Sequence, residues 1–246
     1  MAGHNKWSKV KHIKAKEDAK KGKAFSKVGR DITIAARQSG ANPDMNPALR
    51  LAIQKARDVN MPKDNIQRAI EKGAGTGDGN DLEEIIYEAY APGGVAILIR
   101  ALTDNKNRTV PNVRAALSKA GGSLANSGAV SYLFDKKGVF LFDSSCDSDQ
   151  VMELAIDAGA QDVDVQDDGS VEVLTLPDQF EDVLNAFNHN QVAYLSADID
   201  MVPQTRIMLD LEKAKGFLKL IDKLDDDDDI QDIFHNADVP DEAMEF

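Results

Sequence analysis

The apolar residues of this chain change period once, at Gly73-Ala-Gly-Thr-Gly-Asp-Gly79, and that change limits what each side can fold into. Before the glycines, apolar positions recur every three to four residues, the spacing of a helix with one buried face. Phe25, Val28, Ile32 and Ala35 form such a stripe within residues 23–38, and Ser39-Gly40 closes it. Asn46-Pro47 places an N-cap ahead of a proline at the first helical position, where its missing N–H costs nothing. Leu49, Ala52, Ile53 and Ala56 follow on one face. A third helix starts near Pro62, carries Ile66, Ala69 and Ile70, and stops at Gly73. None of the three can bury its stripe alone, so the spacing predicts a small three-helix bundle. The glycine run reads as a linker. It follows a helix and no Gly-Lys-Ser/Thr closes it, so it lacks the context of a phosphate loop.

After the glycines, short β-branched runs alternate with amphipathic stretches. Residues 85–90 and 95–99 predict two strands joined through Ala91-Pro-Gly-Gly94, and residues 109–120 a helix with Val110, Val113 and Leu117 on one side. Strands are expected at 129–134 and 139–142, with Asp135-Lys-Lys-Gly138 as a hairpin turn between them. A helix through Val151, Leu154 and Ala155 precedes strands at 162–165 and 171–176, split by Asp167-Asp-Gly169. A helix through Phe180, Val183 and Phe187 and a strand at 192–197 complete a β-α-β-β-α-β order, the ferredoxin-like pattern. The flanking elements repeat that order discontinuously. They are the strand at Val95, the helix at Val110, the strand at Ala129, a strand at 205–208, a helix at 211–224 and a last strand at 230–234. The expected fold is therefore α+β: an N-terminal three-helix domain (1–78) followed by two ferredoxin-like α/β domains, one (135–197) inserted in the other (79–134 and 198–246).

Charge is segregated along the chain. The net charge is -13, yet residues 1–72 hold 17 of the 29 Lys+Arg and only 7 of the 42 Asp+Glu, a local +10. A nucleic acid senses the local field, because salt screens charges beyond about 10 Å. Residues 1–22 are lysine-rich with few apolar residues, which fits an exposed arm or helix. Trp7, the only tryptophan, sits between Lys6 and Lys9; it is either a ring on which bases stack or a packing residue that docks the arm. The helix at Pro62 presents Lys63, Asn65, Gln67 and Arg68, side chains suited to base edges, although its turn Val59-Asn60-Met61 lacks a glycine. The run Asp225–Asp229 is expected to be a solvated loop, since its ligands are not spaced as in an EF-hand.

Nothing in the sequence names an acid, a base or a nucleophile. The four histidines have no ligand spacing, and Cys146 is the only cysteine, read as an incidental thiol. No cofactor and no metal are expected. No apolar run approaches the roughly 20 residues that span a bilayer, and no signal-peptide pattern opens the chain, so a cytoplasmic protein without membrane contact is expected.

Several long segments in order, MAGHNKWSKVKHIKAKEDAKKGKAFSK, NPALRLAIQKARDVNMPKDNIQRAI, YEAYAPGG, TDNKNRTV and the terminal DIQDIFHNAD, resemble the YebC/PmpR family essentially end to end. The resemblance implies a three-domain cytoplasmic protein with no enzymatic activity. It implies either a DNA-binding transcriptional regulator, the usual family label, or a ribosome-associated translation factor that eases synthesis of proline-rich stretches. The implied partners are ribosomal RNA, tRNA or DNA, and the ribosome; a monomer is expected. The implied surface comprises Lys6, Trp7, Lys9, Lys14, Lys20, Lys21, Lys23, Lys27 and Arg30, extended by Tyr90, Lys106 and Arg108 in the central motifs. Lys63 and Arg68 join it from the helix at Pro62. A third class, a scaffold whose basic end meets an acidic protein, shares the same electrostatics.

Overall fold

The computed structural model describes residues 21–75 and 82–244. The chain divides into two compact units. One contains the described residues up to Ala129 together with Gly216–Ile233; the other contains Val130–Lys215 and the chain from Phe234 onward. Overall the architecture is α+β, helices first and sheets after.

Three helices open the first unit: α1 (Lys21–Ser39), α2 (Pro47–Asp58) and α3 (Lys63–Gly73). The predicted stripes meet in one cluster, with Val28, Ile32 and Ala35 of α1 against Leu49, Ala52, Ile53 and Ala56 of α2 and Ile66 and Ile70 of α3. α1 is the common partner on which the other two pack. Asn46 makes the first corner rigid. Its side-chain carbonyl caps α2 by accepting from Leu49 N–H (3.0 Å), while its amide donates to Ala35 (2.8 Å) and Gly40 (2.7 Å) carbonyls at the end of α1. At the second corner Asn60 adopts φ 58°, so it supplies the left-handed residue for which a glycine would be the usual choice.

Two helix details depart from the sequence reading. Gly73 lies inside α3 rather than past its end, and a Cβ there would sit 2.3 Å from the Thr33 carbonyl oxygen. This glycine serves close approach of α3 to α1, not helix termination. α1 is also buried over five consecutive residues, Ile32 to Ala36, where one stripe was expected. The second covered side faces the first sheet, to which Arg37 donates at the Leu82 carbonyl (3.2 Å) and Arg30 at the Leu102 carbonyl (3.0 Å).

That sheet is built on the hairpin of β1 (Glu83–Ala91) and β2 (Val95–Thr103), paired antiparallel from Glu83↔Thr103 to Ala91↔Val95. α4 (Lys106–Lys119) and the two-residue β3 (Ser123–Leu124) follow. The second unit contains β4 (Phe134–Phe142), α5 (Ser148–Asp157), β5 (Asp162–Val165), β6 (Val171–Thr175), α6 (Phe180–His189), β7 (Ser196–Pro203) and β8 (Ile207–Met208). α7 (Leu211–Asp225), β9 (Ile230–His235) and β10 (Ala237–Asp238) complete the chain. The first sheet has the order β3-β1-β2-β9 and the second β5-β6-β4-β7. The second is an antiparallel β-α-β-β-α-β sheet in the ferredoxin-like order.

The outer sheet corrects the discontinuous order predicted for it. The segment at 129–134 is not a strand: Ser131–Leu133 form a 3₁₀ turn, and the pairing strand is β3. The predicted strand at 205–208 shrinks to β8, which pairs parallel with β10 in a separate ribbon. β1 therefore fills the inner position that a ferredoxin-like sheet gives to its third strand. The predicted turn at 135–138 is also replaced, since β4 runs straight through it. A Cβ on Gly138 would lie 2.2 Å from Thr175 Oγ1 and 2.5 Å from the Phe180 ring, so this glycine marks a close approach within a strand. β7 lies several residues later than expected, and every residue along it is half-buried.

Candidate nucleic-acid interface

Lys23, Lys27 and Arg30 succeed one another at four- and three-residue steps, which brings them to one edge of α1. In the structure that edge meets the aspartate run after α7. Lys23 Nζ lies 3.4 Å from Asp226 and Lys27 Nζ 2.7 Å from Asp225. Arg30 reaches Asp229 (3.2 Å) and the Asp228 carbonyl. The two lysine side chains are 19% and 17% exposed, whereas Asp226 and Asp225 are 55% and 46% exposed.

Asp229 is the fixed end of that run. Its side chain is 3% exposed and accepts from Arg108 Nε (3.1 Å) and Nη2 (2.8 Å), with the Thr109 and Thr103 hydroxyls at 2.8 and 3.1 Å. Burial works against its charge, but the hydrogen bonds from Arg108 and Thr109 outweigh it and hold the carboxyl below the usual Asp range. The expectation of a wholly solvated loop is thus corrected: Asp226 and Asp228 are exposed, Asp225 and Asp227 half-buried, and Asp229 buried. The motif Thr103-Asp-Asn-Lys-Asn-Arg-Thr109 exists locally to build this anchor. Asn105 caps α4 by accepting from Arg108 N–H (3.2 Å), which turns Arg108 and Thr109 toward Asp229.

A second network sits at Arg100 on β2, which pairs with Asp31 of α1 (2.8 Å), Glu84 of β1 (2.6 Å) and Asp232 of β9 (2.7 Å). Burial alone would favour loss of its proton, but the Asp31 and Asp232 carboxylates raise it well above the ordinary arginine range. Arg100 therefore ties α1 to three strands and is not offered to a ligand.

The site residues suggested by sequence fall into three groups. Lys6, Trp7, Lys9, Lys14 and Lys20 lie outside the described residues, and Lys21 opens α1. Lys23, Lys27, Arg30 and Arg108 are engaged with the aspartate run, and Lys106 forms an ion pair with Glu83. Lys63 and Arg68 are exposed on α3, and among the described residues neither has a carboxylate partner. Asn65 and Gln67 are exposed on the same helix, with Gln67 donating to Glu71 (2.9 Å). Tyr90 donates its hydroxyl proton to the Ala129 carbonyl (3.0 Å), and Glu88 accepts from Gly128 N–H (2.6 Å), so YEAYAPGG fastens the hairpin to the segment after β3. Sequence reasoning missed Thr103, Thr109 and Asp229 as partners in this anchor, and Asn112, which donates to Asp227 (3.0 Å). The two threonines that flank DNKNR, Thr103 and Thr109, were the available signal.

Beside Asp229 opens a cleft of about 720 Å³ with Arg30, Arg108, Lys119 and Lys223 on its walls, together with Asp226 and Asp228. Among the described residues no group of three or more His, Cys, Asp or Glu is placed to hold a metal ion. Burial raises the Cys146 thiol above its ordinary value, and the Asp143 and Asp147 carboxylates add to the shift. That makes the thiolate scarce at neutral pH. No described helix is long and apolar enough to cross a membrane.

Comparison with known families accounts for nearly the whole chain. Residues 5–76 match the TACO1/YebC protein N-terminal domain, and residues 82–237 match the TACO1/YebC second and third domain. The chain belongs to the TACO1/YebC family. Similar family members include a protein of Hahella chejuensis, 52% identical over 100% of this chain and 98% of its own length. Another, from Shewanella oneidensis, is 48% identical over 100% of this chain and 99% of its own. Both carry the name "Probable transcriptional regulatory protein". A conserved hypothetical protein of Aquifex aeolicus has a crystal structure that superposes with a TM-score of 0.84 at 41% identity, over 92% of this chain and 94% of that one.

Proposed function

We propose that this chain is a non-enzymatic, cytoplasmic regulator of gene expression that binds nucleic acid, and that its working partner is RNA on the ribosome. One observation carries the nucleic-acid reading: a net +10 over residues 1–72 of a chain whose total is -13, ending in an α3 face where Lys63 and Arg68 are unneutralised by any described carboxylate. Twelve of those 17 basic residues are lysines. Lysine offers a mobile, hydrated point charge rather than a rigid fork, which suits backbone phosphates more than base edges. That preference for shape and charge favours folded RNA. The narrower role, easing synthesis of proline-rich stretches, rests on the family resemblance alone.

DNA is the second reading, and two observations favour it. α3 exposes Lys63, Asn65, Gln67 and Arg68 after a tight left-handed corner at Asn60, and the relatives are named transcriptional regulators. Crosslinking the protein in cells and sequencing both bound pools separates the two. The expected result is enrichment of ribosomal RNA and tRNA. Enrichment of discrete DNA sites with no RNA above background would replace the RNA reading by the DNA one.

A further inference from the structure

We propose that Asp225 and Asp226 are a built-in competitor for phosphate: they hold Lys27 and Lys23 of α1 in the free protein, and nucleic acid gains those lysines only by displacing them. The inference rests on the nucleic-acid reading above and adds a regulated contact to it.

The geometry sets the terms of the competition. Lys23 and Lys27 keep 19% and 17% of their side chains exposed, and their ammonium groups face Asp226 and Asp225. Carboxylate and phosphate oxygens are equivalent acceptors for an ammonium group, and both are anions. They cannot share these lysines without repelling each other, so binding here means exchange.

The aspartate run is built for partial exchange. At one end Asp229 is buried under Arg108, Thr103 and Thr109, and its carbonyl accepts from Leu102 N–H (2.8 Å). At the other end Asp225 and Asp226 leave about half of their side chains in water, so their pairs with the half-buried lysines are partly screened by salt and less fixed than the buried Asp229 anchor. Asp225 ends α7 and Asp226 N–H donates to the Asp222 carbonyl (3.0 Å), so exchange asks only that the two carboxylates rotate off the lysines while the backbone and Asp229 stay in place. A single stray phosphate gains little by displacing the carboxylates. A closely spaced row of phosphates, which meets several cations at once, gains enough. The acidic run thus selects densely charged, folded nucleic acid over isolated anions.

Salt dependence reports the exchange. In wild type, a lysine must give up its carboxylate contact to take a phosphate, so the exchange releases less net counterion than binding by a lysine that no carboxylate holds. The test is binding of a labelled mixed-sequence stem-loop RNA across a potassium chloride series. The variants are Asp225→Asn/Asp226→Asn and a control of equal charge change, Asp149→Asn/Glu153→Gln, at exposed positions of α5. The aspartate variant should bind about tenfold more tightly at low salt, with a log–log slope steeper by roughly 1–2. The control should stay within about twofold of wild type at unchanged slope. In a Lys23→Gln/Lys27→Gln background the gain should vanish. Asp226→Asn alone, at the more exposed and longer contact, should move affinity the same way and serves if the double variant folds poorly. If the Asp225/Asp226 variants match the control in affinity and slope while wild type binds, the competitor does not exist and the nucleic-acid reading stands. If neither wild type nor any variant binds RNA or a duplex DNA of mixed sequence, both fall.

Discussion

The β-α-β-β-α-β segment, residues 134–203, carries two lysines, no arginine and 16 Asp+Glu, a net of -14, whereas residues 1–72 carry a net of +10. The two regions also hold themselves together differently. In the acidic segment an aromatic cluster forms the centre: Phe140 stacks on Phe180 (4.8 Å) and meets Phe187 edge-on (5.4 Å), and Phe142 meets Phe187 at 4.9 Å. Its acidic residues are exposed or half-buried except Glu172, which is buried. The helical region has a core of small aliphatic residues, including Ala35, Ala36, Ala52 and Ala56, in which no aromatic side chain is fully buried. Its α1 is fastened through ion pairs to Arg100 and to the aspartate run. The difference teaches where positive charge is spent on structure and where it is left over. Arg30, Arg100 and Arg108 are matched within the fold, while among the described residues Lys63 and Arg68 on α3 have no carboxylate partner. An acidic domain in the same chain repels phosphate from the faces it covers.

The sharpest way to break the comparison is to damage the acidic segment's core and ask whether binding follows. Phe140→Ala should lower stability by about 3–5 kcal/mol, because a fully buried ring leaves a cavity among Phe180, Phe187 and Phe142. RNA affinity measured well below the lowered melting temperature should stay within about twofold. Loss of binding with circular dichroism still native would place the contact surface in the acidic segment.

Asp229→Asn gives the next largest effect and probes the charged anchor. At neutral pH it should cost roughly 2–3 kcal/mol, since Asp229 loses charge-assisted bonds from Arg108 and Arg30 while buried. The pH dependence has a defined sign. A carboxyl held below its unfolded pKa stabilises the fold at pH above the unfolded value of about 3.9, and that contribution fades as pH falls through the folded pKa. Melting temperatures of wild type and variant should therefore converge on acidification. A gap that stays constant down to acid pH would mean that shape, not charge, makes Asp229 important.

Much of this was legible because helical stripes and caps are local signals. Asn46-Pro47 and the α1–α3 stripes follow from spacing, and so does the inner ferredoxin-like order. The misses at Gly73, Gly138, α1 and Arg108 share one cause, the partner's distance along the chain. Gly73 and Gly138 read as a stop and a turn, since a glycine in sequence does not say whether φ or crowding requires it; here Thr33 and Phe180 crowd them. The second buried side of α1 depends on a sheet whose strands begin more than 40 residues after its buried stretch. The basic residues of the proposed surface were found from composition, but charge counting could not say which were already matched. Arg108 and Asp229 are 121 residues apart, and nothing local in either segment announces the pair.

The central claim is that the N-terminal lysines neutralise phosphates without regard to base identity. Replacing Lys9, Lys14 and Lys20 with glutamine and titrating RNA binding against salt tests it most directly. Each lost phosphate contact removes about 0.7–0.9 from the log–log slope, so the slope should fall by roughly 2–3, equally for stem-loops of different sequence, with the melting temperature unchanged. A slope equal to that of wild type, in a variant that melts like wild type, would show that these lysines do not touch the nucleic acid and would contradict the account.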